Sequence, residues 1–541
     1  MKISGHIIDI RNRRIFDGLI EIEGERIIRI SKTEEVEDQY ILPGFIDSHV
    51  HIESSMVVPS EFARMAVVHG TVGTVSDPHE IGNVLGVEGV EYMIENGKQV
   101  NFKFNFGAPS CVPATTFETA GAEITSEQIR YLLEKPEIKY LAEMMNWPGV
   151  LYKDPVVYEK LRIARKLDKP IDGHAPGLRG EQAETYIKAG ISTDHECFTA
   201  EEARDKLKHD MKIAIREGSA AKNFDALVEL FSERPEMLMF CSDDKHPDNL
   251  VEGHINQLVA RALAKSHNLF DVLKAACITP IEHYKLDIGT LREGDPADFI
   301  VTRDIENFII DRTYINGELV AEEGSSLINK VSVPLINNFN CLPVSIKDLE
   351  LKAETDKINV IEALDGQLIT NTIVAQVKKD QNENIISDLE NDHLKFVVIN
   401  RYSEAKPAIG FIKNFNLKEG AIASSVGHDS HNILAVGVDD ESIARTINLI
   451  IESKGGISAV GFGREETLPL PIAGILSNKD GYEVANAYTA MDQFSKELGS
   501  TLASPYMTLS FMALLVIPKL KLSDLGLFDG ERFEFKRLFI S

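Results

Sequence analysis

Apolar positions follow two different rhythms along this chain. Near the N-terminus they alternate with polar ones around Gly and Asn-Arg turns, as in Leu19-Ile20-Glu21-Ile22-Glu23-Gly24-Glu25-Arg26-Ile27. Such alternation predicts short antiparallel strands with one face buried. The same style returns at Gly294-Asp295-Pro296-Ala297-Asp298-Phe299-Ile300-Val301 and at Tyr314-Ile315-Asn316-Gly317-Glu318-Leu319-Val320. The two pieces are expected to pair into one small β-sandwich.

Between them, apolar runs stop at polar residues and give way to stretches of helical period. Pro59 to Gly70 is one such stretch, with Ser60 as the expected cap and Gly70 as the stop. Strand ends are expected at eight places: His49/His51, Thr74 to Asp77, Phe104 to Gly107, Tyr140 to Glu143, Ile171 to His174, Ser192 to His195, Ile213 to Arg216, and Leu238 to Asp243. Eight strand-helix units predict a (β/α)8 TIM-type barrel, whose active site lies where strands end and loops begin. The expected organisation is a sandwich part at 1–42, a barrel at 43–288, a second sandwich part at 289–332 and a C-terminal α+β unit at 333–541. In that last unit Lys395 to Asn400 reads as a strand and Asp440 to Ile451 as a helix.

Composition narrows the chemistry. The 541 residues, 43% hydrophobic and 26% charged, suit a multi-domain globular protein. A formal net charge of −27 argues against the phosphate backbone of nucleic acid and against an anionic membrane as partners. An uncharged nucleobase is not excluded. The five cysteines are dispersed, without a C-x-x-C pair, and no stretch approaches a membrane-spanning length, so a reducing cytoplasm is the expected location.

The polar residues at the strand ends are ionisable and metal-binding in kind. His49 and His51 close an apolar strand with one residue between them, which places both imidazoles on one side. Glu143, His174, His195 and Asp243 follow at the fourth, fifth, sixth and eighth strand ends. Four imidazoles and two carboxylates suffice for two divalent metals bridged by Glu143, with a water activated between them. Asp243 can shuttle that water's proton, with Asp244 as its competitor, and Glu80 or His79 can assist. Each residue has a bland alternative, such as a helix cap or a paired core carboxylate, but six such accidents, all at strand ends, are improbable. Asp77, His79, Glu80, Arg216, Ser219 and Asp244 are candidates for holding a substrate. The His428-Asp429-Ser430-His431 segment reads as a loop closing over the barrel mouth rather than as a second metal site.

Pro43-Gly44-Phe45-Ile46-Asp47-Ser48-His49-Val50-His51 resembles the strand-one signature of the amidohydrolase superfamily. The runs Asp77 to Asn83, Asp172 to Leu178, Thr193 to Cys197, Cys241 to Lys245 and Val426 to Asn432 resemble, more closely, the adenine deaminase family within it. That resemblance implies hydrolytic deamination of adenine to hypoxanthine and ammonia, with manganese (Mn2+) or iron (Fe2+) as metal and zinc (Zn2+) as a further option, two per subunit. A homodimer is the default symmetric assembly.

The rival readings are a cyclic-amide hydrolase, an N-acetyl-sugar deacetylase, and a barrel retired to binding. A carboxylated lysine, common in cyclic-amide hydrolases, has no counterpart at Glu143, and a retired barrel would have lost ligands that this chain keeps. The cytidine type of zinc deaminase needs a Pro-Cys-x-x-Cys segment, which is absent.

Overall fold

The computed structural model describes residues 1–219 and 221–540. Its centre is eight parallel strands, each ending at or beside one of the eight expected positions: Phe45–Val50, Thr71–Ser76, Lys103–Ala108, Ile138–Met144, Ile171–Gly173, Thr193–Asp194, Lys212–Arg216 and Leu238–Cys241. The first five form one ladder and the last three another. Backbone bonds join the two: Ser192 N donates to Ile171 O (2.9 Å), and Asp243 N donates to His49 O (2.9 Å). The last of these links the eighth strand end to the first and closes the barrel.

The helix after strand one runs Pro59–Ala66, continues as a tighter turn over Val67–His69 and stops at Gly70, whose φ is 80°. Its start differs from expectation. Val58 occupies the cap position and Pro59 the first helical turn, where a missing N–H costs nothing. Ser60 lies one residue inside, its N–H donating to Asn96 Oδ1 (2.8 Å).

The two flanking stretches pair as one eight-stranded sheet, ordered Ser325–Ser326, Glu318–Glu322, Arg312–Ile315, Phe299–Thr302, Tyr40–Pro43, Lys2–Asp9, Arg14–Glu23, Arg26–Lys32. Period two sorts its residues. Ile7, Ile41, Phe299 and Val301 pack on the sheet's own core, while Ile8, Leu42 and Ile300 pack against barrel residues such as Phe45, Cys277 and Ile278. The chain therefore enters the first barrel strand directly from a strand fastened to the barrel's outside.

The C-terminal unit is a second eight-stranded sheet, mostly antiparallel, with Leu394–Ile399 and Ile433–Gly437 near its middle. Helix Asp440–Ser453, capped by Asp439 through Ser442 N, covers one face with Ile443, Ile447 and Ile450. The other face carries Phe396, Val398, Ile422, Leu434 and Val436, which join the same buried cluster as barrel residues Val50, Ile52 and Val75. This shared core fixes the C-terminal unit to the barrel. No helix among the described residues is long and apolar enough to cross a membrane.

Candidate metal centre and active site

Strand one is held to strand eight by a buried latch. Asp47 Oδ1 accepts Ser242 N (3.0 Å), and Oδ2 accepts Ser242 Oγ and pairs with His254 Nε2 at 2.8 Å. Thr71 Oγ1 contacts the other nitrogen of that imidazole at 2.7 Å. The Thr-His-Asp alignment has no access to solvent, with His254 and Asp47 fully buried. It positions the strand ends that carry His49, His51 and Asp243.

Those strand ends converge. The Nε2 atoms of His49 and His51 lie 3.2 Å apart, and His51 Nε2 lies 3.1 Å from Asp243 Oδ1. His51 Nδ1 meets the Asp77 carbonyl at 3.1 Å, which makes Nδ1 the protonated nitrogen and leaves the Nε2 lone pair facing the cluster. Glu143 faces both ways. Its Oε1 lies 3.5 Å from His51 Nε2, while Oε2 lies 2.7 Å from His174 Nδ1 and 3.3 Å from His195 Nε2. The His49 and His195 rings stack with centroids 3.9 Å apart. Burial alone would raise the Glu143 carboxyl, but the surrounding imidazoles, His174 foremost, hold it well below the usual range.

Arg216 is engaged rather than open. Its guanidinium donates to Asp243 Oδ2 (2.6 Å) and forks onto both oxygens of Glu196, and the side chain is 2% exposed. Glu196 in turn lies 3.3 Å from His195 Nε2 and 3.7 Å from His174 Nδ1. Asp243 therefore presents Oδ1 to the histidines while Arg216 holds Oδ2. Burial would raise its carboxyl, and Arg216 outweighs that to hold it well below the ordinary value.

A cavity opens above this cluster, lined on the barrel side by His79, Glu80, Arg216, Asp243 and Asp244. The C-terminal unit roofs it with Leu368, His428, Asp429, Phe511, Leu514 and Val516. Glu80 is gripped across the boundary, Oε1 by His428 Nδ1 and Oε2 by His431 Nε2 (2.5 Å). Burial pushes the Glu80 carboxyl up, and His428, His79 and His431 more than reverse it. Asp244 Oδ1 accepts Ser54 Oγ at 2.5 Å, and burial, reinforced by Asp243, raises its carboxyl.

Comparison with known proteins agrees with this arrangement at both ends of the chain. Residues 40–320 match the model of the amidohydrolase family, and residues 367–534 match that of the adenine deaminase C-terminal domain. An adenine deaminase of Salinibacter ruber is 53% identical over 540 residues, covering 99% of both chains. Adenine deaminases of a Sulfurovum species and of Methanosarcina mazei are 52% and 51% identical, each covering 99% of both chains. This chain belongs to the adenine deaminase family of amidohydrolases.

Membership in the amidohydrolase family implies a divalent metal, and the donor set fits one. Ligand atoms of His49, His195 and Asp243, and likewise of Glu143, His174 and His195, lie within 4.8 Å of one another. All are imidazole nitrogens or carboxylate oxygens, the donors that first-row divalent cations accept. Lone pairs converging in a buried site repel unless a cation lies among them.

Two of the candidate substrate contacts do not line the cavity. Ser219 Oγ donates to Asn249 Oδ1 (2.7 Å) and accepts His246 N (2.8 Å), so it serves as a loop tie. Asp77 holds His51 through its carbonyl, and its carboxyl faces His79 Nδ1 at 3.2 Å. His79, Glu80, Arg216 and Asp244 all reach the cavity. Sequence reasoning overlooked Glu196, whose position directly after His195 was the available signal. It also gave no individual role to His428 and Asp429, although their segment was singled out.

Proposed function

We propose that this protein hydrolyses adenine to hypoxanthine and ammonia, with water adding at C6 of the base and the exocyclic amine leaving. The observation that carries the reading is the convergence of His49, His51, Glu143, His174, His195 and Asp243 beneath a roof supplied by the C-terminal unit. Relatives named adenine deaminase, about half identical over the full length, support the choice of base.

These six residues, with Glu143 central among them, would hold two divalent cations, with manganese or iron as the proposed occupants. Such cations supply, when bound, a water acidic enough to act as nucleophile near neutral pH. The chain's own groups then manage the protons. Asp243 Oδ1 is placed to take the proton of the attacking water, and Arg216 on Oδ2 keeps that oxygen aimed. The same carboxyl passes the proton to the departing amine. His79 and Glu80, side by side at 3.3 Å, flank the cavity where the ring nitrogen next to the reacting carbon gains its proton. Asp244, joined to Ser54, is the second carboxyl within the cavity. A cytoplasmic homodimer is the assembly we propose.

Ammonia release from a panel of adenine, guanine, cytosine, adenosine, dihydroorotate and hydantoin tests the assignment, with Mn2+-loaded protein and Asp243→Asn as control. Release from adenine, lost in the variant, is expected. Opening of a cyclic amide without turnover of adenine would overturn it.

A further inference from the structure

Asp429 is the cavity-lining residue whose chemistry the reaction above leaves unused. It is 3% exposed, its Oδ1 makes a long ion pair with His79 Nε2 at 3.8 Å, and its Oδ2 has no hydrogen-bond partner. A buried polar oxygen without a donor costs about 1–3 kcal/mol, so such a group in a binding cavity is expected to meet its partner on the ligand.

Its loop is rigidly placed. His428 N donates to Ser510 O (3.0 Å), His431 N to Gly427 O (2.7 Å), Tyr402 Oη to Ser430 O (2.5 Å) and Asn432 Nδ2 to Thr119 O (3.0 Å). The His428 ring stacks on Phe511 at 4.6 Å, with 13° between the planes. Behind Asp429 stands Glu118, whose carboxyl is raised first by burial and then by Asp429 itself. A carboxyl aimed this firmly is preorganised for one donor.

The position of that donor follows from His79. Its Nδ1 lies 3.5 Å from Glu143 Oε1 and its Nε2 lies 3.8 Å from Asp429 Oδ1. Asp429 thus stands on the far side of the His79 ring from Glu143, beside the same Nε2 that Glu80 Oε1 approaches at 3.3 Å. A bicyclic base whose amine-bearing carbon lies at the cluster and whose six-membered ring meets His79 and Glu80 can turn its five-membered ring toward this carboxyl, and in a free purine that ring carries an N–H.

We propose that Asp429, supplied by the C-terminal unit, accepts the ring N–H of the purine and so selects the free base over any form substituted at that nitrogen. This rests on the deamination reading given above. It makes the C-terminal unit a source of substrate specificity, not only a cover.

The test compares adenine with its isostere carrying sulphur in place of the ring N–H, using the full-length metal-loaded protein. Asp429→Ala is expected to lower kcat/KM for adenine by about 10–100-fold, chiefly through KM, while changing the isostere by less than about threefold. Metal per chain should equal that of the wild type. Asp429→Asn keeps one acceptor oxygen and should recover part of the loss. Inhibition of the wild type by hypoxanthine and by its sulphur isostere provides a measure that needs no variant to fold, and the isostere should bind about 10–100-fold more weakly. Equal loss on both substrates, adenine use by Asp429→Ala within twofold of wild type, or equal inhibition by the two products would each overturn the proposal. Wild-type inactivity on adenine despite full metal loading would instead overturn the deamination reading, and this inference with it.

Discussion

Glu80 Oε2 and His431 Nε2 meet at 2.5 Å although 351 positions separate them in the chain. Glu80 lies in the first turn of helix His79–Leu85 after the second barrel strand, and His431 belongs to the C-terminal unit, so this bond places a carboxyl proposed to handle protons under the control of both. His428 holds the other oxygen of the same carboxyl.

Removing one of these imidazoles should misaim Glu80 without touching the proposed metal ligands. His431→Ala is expected to lower kcat by about 10–100-fold, the worth of one charge-assisted hydrogen bond, with metal per chain unchanged. Steady-state kinetics alongside metal analysis check this. Loss of metal in parallel with activity would assign His431 a structural role instead.

The Asp47–His254 pair should matter to folding and to metal retention together. His254→Ala leaves a fully buried carboxyl without its 2.8 Å partner, and breaking such a pair costs about 3–5 kcal/mol. Chemical denaturation should show that loss. Metal occupancy should also fall, because Ser242, on the same carboxyl, directly precedes Asp243.

Lys521 predicts a pH dependence of stability. Its ammonium is fully buried, donates to the carbonyls of Leu368 (2.7 Å) and Phe511 (2.9 Å), and burial pulls its pKa down to about 7. Between pH 7 and its unfolded value near 10.5 the unfolded chain holds a proton that the folded chain does not. This group therefore makes folding stability rise with pH across that window, by about 1.4 kcal/mol per unit, and its full penalty is present below pH 7. Denaturation midpoints from pH 7 to 10 for wild type and Lys521→Met should differ in slope by one proton. Parallel slopes would contradict the assignment.

Stripping metal should destabilise as well as inactivate. A ligand that binds only the folded state adds about 2.7 kcal/mol at a hundred times its dissociation constant. Chelator treatment should lower the thermal midpoint and abolish ammonia release, and Mn2+ or Fe2+ should restore both. An unchanged midpoint on chelation would indicate that the histidine cluster holds no cation.

Much of this site was legible in the chain because a parallel barrel converts sequence order into geometry. Each apolar run that ends in His, Glu or Asp must deliver that residue to the same rim, so His49, His51, Glu143, His174, His195 and Asp243 group together from sequence order alone. Partners chosen by side-chain reach were not legible in this way. Arg216 and Ser219 stand three positions apart at the end of one strand, yet Arg216 turns onto Asp243 and Glu196 while Ser219 ties a loop to Asn249. Ser60 resembled a cap, but the helix begins at Pro59 with Val58 in the cap position. The roof was hidden for a different reason. Leu368 and Asp429 come from separate loops of the C-terminal sheet and Phe511 from a short 3-10 helix, and no local period encodes how these meet the barrel.

The most direct test of the central claim is turnover of adenine by the metal-loaded protein in 18O-labelled water, followed by mass analysis of the purine product. Hydrolytic attack at C6 predicts hypoxanthine carrying one labelled oxygen for each ammonia released. Unlabelled product, or no hypoxanthine at all, would contradict the account.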